Sequence, residues 1–91
     1  MPIFMIERRF AEEFEPTLHG AAEVNLINDE EKVRWLYSFL AADKRKTYCL
    51  YEAESAEAIR RAAARAGLPA DVVVELGDRI EATGRMVPVE S

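Results

Sequence analysis

The clearest pattern of hydrophobic and polar positions lies between residues 33 and 53, which read VRWLYSFLAADKRKTYCLYEA. Residues 33–40 and 47–51 are rich in aromatic and branched side chains, and the polar residues 43–46 lie between them. Two such runs joined by a polar turn are typical of a β-hairpin. The pattern therefore predicts two antiparallel strands in the middle of the chain.

Both faces of this predicted hairpin carry apolar side chains. Because successive side chains of a strand point to opposite faces, each run divides into two sets. In the first run the sets are Val33, Trp35, Tyr37 and Phe39 against Leu36 and Leu40. In the second run the sets are Tyr48 and Leu50 against Cys49 and Tyr51. Since neither face is polar, we expect both to be covered, one by helices and the other by a partner.

A strand and a helix are predicted before the hairpin. Residues 2–8 alternate, and the two faces are Phe4 and Ile6 against Ile3, Met5 and Glu7. Thr17 is the expected N-cap of a helix that ends near Asn28. Its apolar stripe is predicted to be Leu18, Ala22 and Leu26, widened by Val24 and Ile27. Acidic side chains at a helix C-terminus oppose the helix dipole, so we expect the acidic run 29–31 to lie outside the helix.

A second helix and a last strand are predicted after the hairpin. Ser55 is the expected N-cap, and Gly67 followed by Pro69 is a typical helix end. The predicted buried stripe is Ile59, Ala62, Ala63 and Ala66. Residues 72–76 form the last predicted strand, which Gly77 interrupts. Residues 82–91 are expected to be an extra edge strand, an arm laid on a partner, or a disordered tail.

The order strand, helix, strand, strand, helix, strand is that of the ferredoxin-like fold, a split βαβ arrangement. The predicted class is therefore α+β, with one domain over residues 1–91. A four-stranded antiparallel sheet carries both helices on one face, so its other face is open. Because the hairpin is apolar on both faces, we expect a homodimer that packs sheet to sheet, as in dimeric α+β barrels.

Composition narrows the choice of partners and compartment. A net charge of −5 argues against nucleic acid and anionic membranes, which bind clustered Lys and Arg. The single Cys49 cannot form an internal disulfide, and no apolar segment has the length of a signal peptide or a membrane span. These features predict a cytoplasmic protein.

Three residues are candidate metal ligands. Glu7 and Glu52 lie near the ends of predicted neighbouring strands, so we consider that their carboxylates converge on a cation. His19 is the only imidazole in the chain, and nitrogen and oxygen ligands suit nickel and copper. The alternatives are that both carboxylates are solvated strand ends and that His19 is an exposed residue of the first helical turn.

Four aromatic residues of the hairpin are candidates for a ligand pocket, namely Trp35, Tyr37, Tyr48 and Tyr51. Apolar rings with phenolic hydroxyls suit a planar ligand, although the same residues also fill cores and dimer interfaces. The chain has no phosphate-binding glycine loop, no G-x-S-x-G elbow and no H-E-x-x-H motif. No catalytic residue is assigned.

The chain resembles a family of small bacterial domains of unknown function, one member of which is described as a nickel-responsive, nickel-binding protein. The likeness rests on the opening strand that ends in Glu7 and Arg8, on the hairpin 33–53, and on the helix AEAIRRAAARAGLPAD. The resemblance implies a ferredoxin-like fold, a dimeric α+β barrel and binding of a transition metal.

Three functions are open at this point. The first is a small dimeric protein that binds nickel, another divalent metal or a small ligand. The second is a dimeric α+β barrel enzyme, a cofactor-free oxygenase or isomerase acting on a ring-shaped substrate, which requires an enclosed pocket with a titratable group. The third is a purely structural interaction module.

Overall fold

The predicted succession of strands and helices is present, and a short hairpin follows it. A computed structural model describes residues 1–90. The elements are β1 (Ile3–Arg9), α1 (Leu18–Glu30), β2 (Arg34–Leu40), β3 (Lys46–Glu52), α2 (Ala56–Ala66), β4 (Val72–Leu76), β5 (Asp78–Ile80) and β6 (Met86–Pro88).

The main sheet has four strands in the order β2-β3-β1-β4, and every neighbouring pair is antiparallel. The central pair runs from Ile3 opposite Glu52 to Arg9 opposite Lys46. This order is the predicted ferredoxin-like arrangement, and the α+β class is confirmed. The core lies on one face of the sheet, which we call the helix face, where Phe4, Ile6, Cys49 and Tyr51 pack against the helices. We call the other side the open face.

The helix α2 packs on the sheet through small side chains, as the sequence predicts. Ala58, Ile59, Ala62 and Ala63 are buried, and Ile59 is 1% exposed. The Ser55 hydroxyl accepts a hydrogen bond from the Ala58 N–H at 3.2 Å. Gly67 ends the helix with φ 70°, a left-handed conformation that glycine adopts without steric cost.

A β-bulge changes the predicted faces of β2. The register slips between Trp35 and Tyr37, so that Trp35 lies opposite Tyr51 whereas Tyr37 lies opposite Leu50. A bulge adds one residue to a strand and reverses the alternation beyond it. Trp35 therefore belongs to the helix face, and Tyr37 and Phe39 belong to the open face. The prediction that all three share one face was wrong.

The stripe predicted for α1 also differs from the observed one. Leu18 is 93% exposed and Leu26 is 67% exposed, and Ala22 is exposed as well. The buried side of the helix is instead Gly20, Ala21, Val24, Ile27 and Asn28. Thr17 is the N-cap, as predicted, and its hydroxyl accepts from Gly20 N at 2.9 Å. The side chains nearest the sheet are thus small or polar in the first half of the helix.

The helix α1 ends at Glu30, two residues later than predicted. Two arginines of α2 explain the difference, because Arg65 bonds Glu30 at 2.5 Å and Glu31 at 3.0 Å, and Arg61 bonds Glu31 at 3.1 Å. These contacts place positive charge next to the acidic end of α1 and offset its unfavourable interaction with the helix dipole.

The C-terminal segment forms a hairpin of its own. Strands β5 and β6 make a separate two-stranded sheet, and the N–H of Val89 donates to the carbonyl of Gly77 at 3.1 Å. Of the three expectations for residues 82–91, a short strand is the one observed, although it pairs with β5 and not with the main sheet. Ser91 lies outside the described residues. No helix within residues 1–90 is long and apolar enough to cross a membrane.

Replacing Ile59 by alanine is expected to lower the free energy of unfolding by about 2–5 kcal/mol, because it removes buried methyl groups and leaves a cavity. Ile80→Ala is the matched control, since Ile80 is 72% exposed and its loss should change stability by less than about 0.5 kcal/mol. Urea denaturation followed by circular dichroism measures both. Equal effects of the two changes would contradict this account of the core.

Glu31 is expected to make stability depend on pH. Hydrogen bonds from Arg61 and then Arg65 lower the pKa of Glu31. A lowered folded pKa gives a stabilisation that is present above the unfolded value, about 4.3, and is lost as the pH falls through the folded value. The urea midpoint should therefore fall less between pH 6 and pH 3 in Glu31→Gln than in the parent protein. Glu13→Gln, on an exposed loop, should retain the parent pH dependence.

Candidate functional site

A cavity lies between the helix face of the sheet and the first half of α1. Its volume is about 420 Å³, within the range of small-molecule sites. The small inner residues of α1 leave this space, because Gly20 and Ala21 lie where larger side chains would otherwise reach the sheet. The wall opposite α1 is formed by β1, β2 and β3.

The loop 10–17 closes one side of the cavity and is held in place by the β2–β3 turn. The N–H of Phe10 donates to the carbonyl of Arg45 at 2.9 Å, and the N–H of Phe14 donates to that of Lys44 at 2.6 Å. The two phenylalanine rings stack with centroids 4.6 Å apart. Both rings line the cavity, so its wall is apolar and anchored by backbone hydrogen bonds.

Two of the four predicted aromatic residues line this cavity. Trp35 and Tyr51 stack with ring centroids 6.4 Å apart and an interplanar angle of 10°. Tyr37 and Tyr48 lie on the open face, on the other side of the sheet. The four rings therefore do not form one pocket, because the bulge in β2 and the alternation of β3 separate them. A ligand role for Trp35 and Tyr51 stays a prediction.

Arg8 lies at the sheet side of the cavity and is 3% exposed. Its Nη1 donates to the carbonyl of Pro69 at 2.5 Å, and its guanidinium carbon lies 5.8 Å from the centre of the Tyr51 ring. None of the ion pairs within residues 1–90 involves Arg8. The sequence reasoning did not select Arg8, although it continues the inward alternation of Phe4 and Ile6.

Burial also changes the chemistry of the neighbouring phenol. Burial raises the pKa of Tyr51, and the nearby charge of Arg8 partly opposes that rise. The phenol therefore remains a neutral hydrogen-bond donor across the physiological pH range. Cys49 is buried, and its thiol donates to the hydroxyl of Thr47 at 3.6 Å.

The carboxylates of Glu7 and Glu52 do not converge. The strands β1 and β3 are neighbours, as expected, but Glu52 lies opposite Ile3 and Glu7 lies opposite Tyr48. The C-terminal ends of antiparallel strands lie at opposite ends of the pair, which the prediction of convergence overlooked. Each carboxylate bonds an arginine instead, Glu7 to Arg9 at 2.7 Å and Glu52 to Arg34 at 3.2 Å.

His19 lies on the exposed surface of α1, and its Nε2 is 2.9 Å from Oε1 of Glu23. The two residues are one helical turn apart, which places both side chains on the same side of the helix. The sequence reasoning missed Glu23, although its spacing from the only histidine was a usable signal. Within residues 1–90, no three His, Cys, Asp or Glu residues cluster around a common point.

The chain is similar to known proteins over most of its length. A family model described as nickel responsive protein SCO4226-like matches residues 4–76. The crystal structure of SCO4226 from Streptomyces coelicolor A3(2) has a TM-score of 0.69 and 32% identity, and the match covers 81% of this chain and 94% of that one. No curated protein matches. The hairpin of β5 and β6 lies outside the matched range. Because the family model covers both helices and all of the main sheet except Ile3, the chain belongs to the SCO4226-like family of nickel-responsive proteins.

Proposed function

We propose that this protein binds a divalent transition metal, with nickel as the first candidate, and that His19 and Glu23 supply the ligands of each chain. The observation that carries this proposal is the 2.9 Å approach of the only imidazole to a carboxylate on an exposed helix surface. The family name supports nickel as the ion.

The donor atoms fit this choice of metal. Imidazole nitrogen suits nickel and copper, and an exposed carboxylate supplies a charged oxygen. A spacing of four residues on a helix also places the two histidines of known H-E-x-x-H zinc sites on one ion. Two protein ligands from one chain do not complete a coordination sphere, so water supplies the remaining positions.

The other two predicted ligands are weaker candidates. Glu7 and Glu52 each bond a guanidinium group within their own chain, and a metal would have to displace that arginine. The His19 and Glu23 pair contacts no guanidinium group, and both side chains are exposed. A metal that binds this pair therefore displaces no arginine.

Nickel titration by calorimetry tests the proposal on protein purified without a histidine tag. The parent protein is expected to bind, and His19→Ala should weaken binding at least about tenfold because it removes the only imidazole ligand. Glu23→Gln should weaken it as well, whereas the control Glu13→Gln should not. The proposal fails if no heat above buffer is measured, or if His19→Ala binds like the parent.

We also propose that the protein is a homodimer that packs through the open face. This face carries mostly apolar side chains, namely Met5, Tyr37, Phe39, Tyr48, Leu50, Val72 and Val74, with the carboxylate of Glu7 between Tyr48 and Val72. Tyr37 and Phe39 are more than half exposed and pack edge to face with centroids 5.6 Å apart. Contiguous exposed apolar patches on soluble proteins mark interaction sites.

The accessible surface of the chain supports a second copy as the partner. It amounts to 6278 Å², about 900 Å² more than the roughly 5,400 Å² expected for a compact monomer of 10.3 kDa. A standard protein interface buries about 800 Å² from each partner. The excess is of the size that one dimer interface would remove, and the separate β5–β6 hairpin also contributes to it.

Sedimentation equilibrium at micromolar concentration is expected to give a dimer. Phe39→Glu should weaken association at least about tenfold, because a twofold interface carries the buried charge twice. Leu26→Glu is the matched control, since Leu26 is an exposed apolar residue on α1, on the other side of the sheet. A monomeric parent protein, or a larger effect of Leu26→Glu, would refute the proposal.

A further inference from the structure

The buried polar groups that line the cavity carry more hydrogen-bond donors than acceptors. Arg8 is 3% exposed and carries five N–H donors, of which one bonds the carbonyl of Pro69, and its guanidinium also approaches the hydroxyl of Tyr51. Its neighbours within residues 1–90 supply no carboxylate within ion-pair distance. A buried cation without an anionic partner is costly, so this arrangement indicates that a negative group from outside the chain belongs beside Arg8.

Two hydroxyls in the cavity are also set to donate. Ser38 accepts from the indole N–H of Trp35 at 2.9 Å, and Thr47 accepts from the thiol of Cys49 at 3.6 Å. Each hydroxyl also carries one O–H donor and a second lone pair, so each can donate to an acceptor bound in the cavity. Both hydroxyls line the cavity together with Arg8.

Asn28 adds a further buried donor beside Arg8. It is 3% exposed, and its side-chain nitrogen makes no hydrogen bond of ordinary geometry within residues 1–90. The Tyr51 hydroxyl approaches both the Asn28 amide and the Arg8 guanidinium, and one phenol oxygen supplies fewer acceptor sites than these two groups have donors. Buried polar groups are paired in nearly all native structures, so an acceptor from outside the chain suits this end of the cavity.

The two carboxylates at the cavity have partners elsewhere. Glu15 lies 3.7 Å from the ammonium group of Lys44, and Glu23 lies 2.9 Å from His19. Both are exposed, so they lie towards solvent while Arg8 lies in the interior. An anionic ligand bound beside Arg8 would therefore meet a buried positive charge and no buried carboxylate.

The remaining walls define the rest of the ligand. The stacked pair Phe10 and Phe14 and the stacked pair Trp35 and Tyr51 face the space, with Leu40 and Val24 beside them. We propose that the cavity between β1, β3 and α1 binds a small organic monocarboxylate with an aromatic or similarly apolar body, whose carboxylate pairs with Arg8. The planar guanidinium suits the two oxygens of a carboxylate, and one cation suits one negative charge.

Calorimetry with 4-phenylbutyrate, indole-3-acetate and phenylacetate tests this proposal against the neutral control 4-phenylbutanamide and the dianion phenylphosphonate. At least one carboxylate is expected to bind the full-length protein with saturation, and 4-phenylbutyrate should bind at least about tenfold more tightly than its amide. The comparison uses the parent protein, so it does not depend on the folding of a variant. The single Trp35 provides a second readout through its fluorescence.

Two variants locate the site. Arg8→Gln should reduce the affinity for 4-phenylbutyrate to that of the amide, and Arg79→Gln, an exposed arginine on β5, should leave it unchanged. If Arg8→Gln does not fold, Ala21→Trp fills the cavity from α1 and should abolish binding with an unchanged circular dichroism spectrum. Equal binding of carboxylate and amide, tighter binding of phenylphosphonate, or no saturable binding of any carboxylate at millimolar concentration would overturn the proposal.

Discussion

Seven residue pairs join β1 to β3 at the centre of the sheet, and this register assigns every side chain of both strands to one of two faces. A slip of one residue in either strand would exchange the faces of that strand, moving Ile6 or Cys49 out of the core and Met5 or Leu50 into it. Burial of Ile6 and Cys49 on the helix face therefore fixes the register. The same register places Arg8 inside the protein, because Arg8 is the next inward position after Ile6.

The elements that follow local rules could be predicted from the sequence. These elements depend only on residues within a few positions of each other. They are the caps at Thr17 and Ser55, the helix end at Gly67, and the alternation of β1 and β3, and all are observed at the predicted positions. The bulge after Trp35 could not be predicted, because an extra residue in β2 is tolerated only through its pairing with β3.

The errors at the candidate site have the same origin. Hydrophobic spacing predicted that Leu18 and Leu26 lie on the inward side of α1, yet both are exposed. The side that faces the sheet begins at Gly20 and carries smaller side chains. Hydrophobic spacing identifies a packed side only if the helix rests on a filled core. Here the first half of α1 lies over a cavity, so small residues face inwards. The prediction that Glu7 and Glu52 converge was wrong for a geometric reason, since antiparallel pairing separates the C-terminal ends of their strands.

The helix α1 links the two ligand proposals. Among the residues of α1 only Asn28 is fully buried, whereas four residues of α2 are, so α1 packs less tightly against the sheet than α2. Glu23 faces the cavity with one side and contacts His19 with the other. Elements with few buried contacts open at the lowest free energy, and ligands that bind the ordered form stabilise it by mass action. A carboxylate under α1 and a metal on its surface would both stabilise the ordered position of this helix, and each would therefore favour the binding of the other.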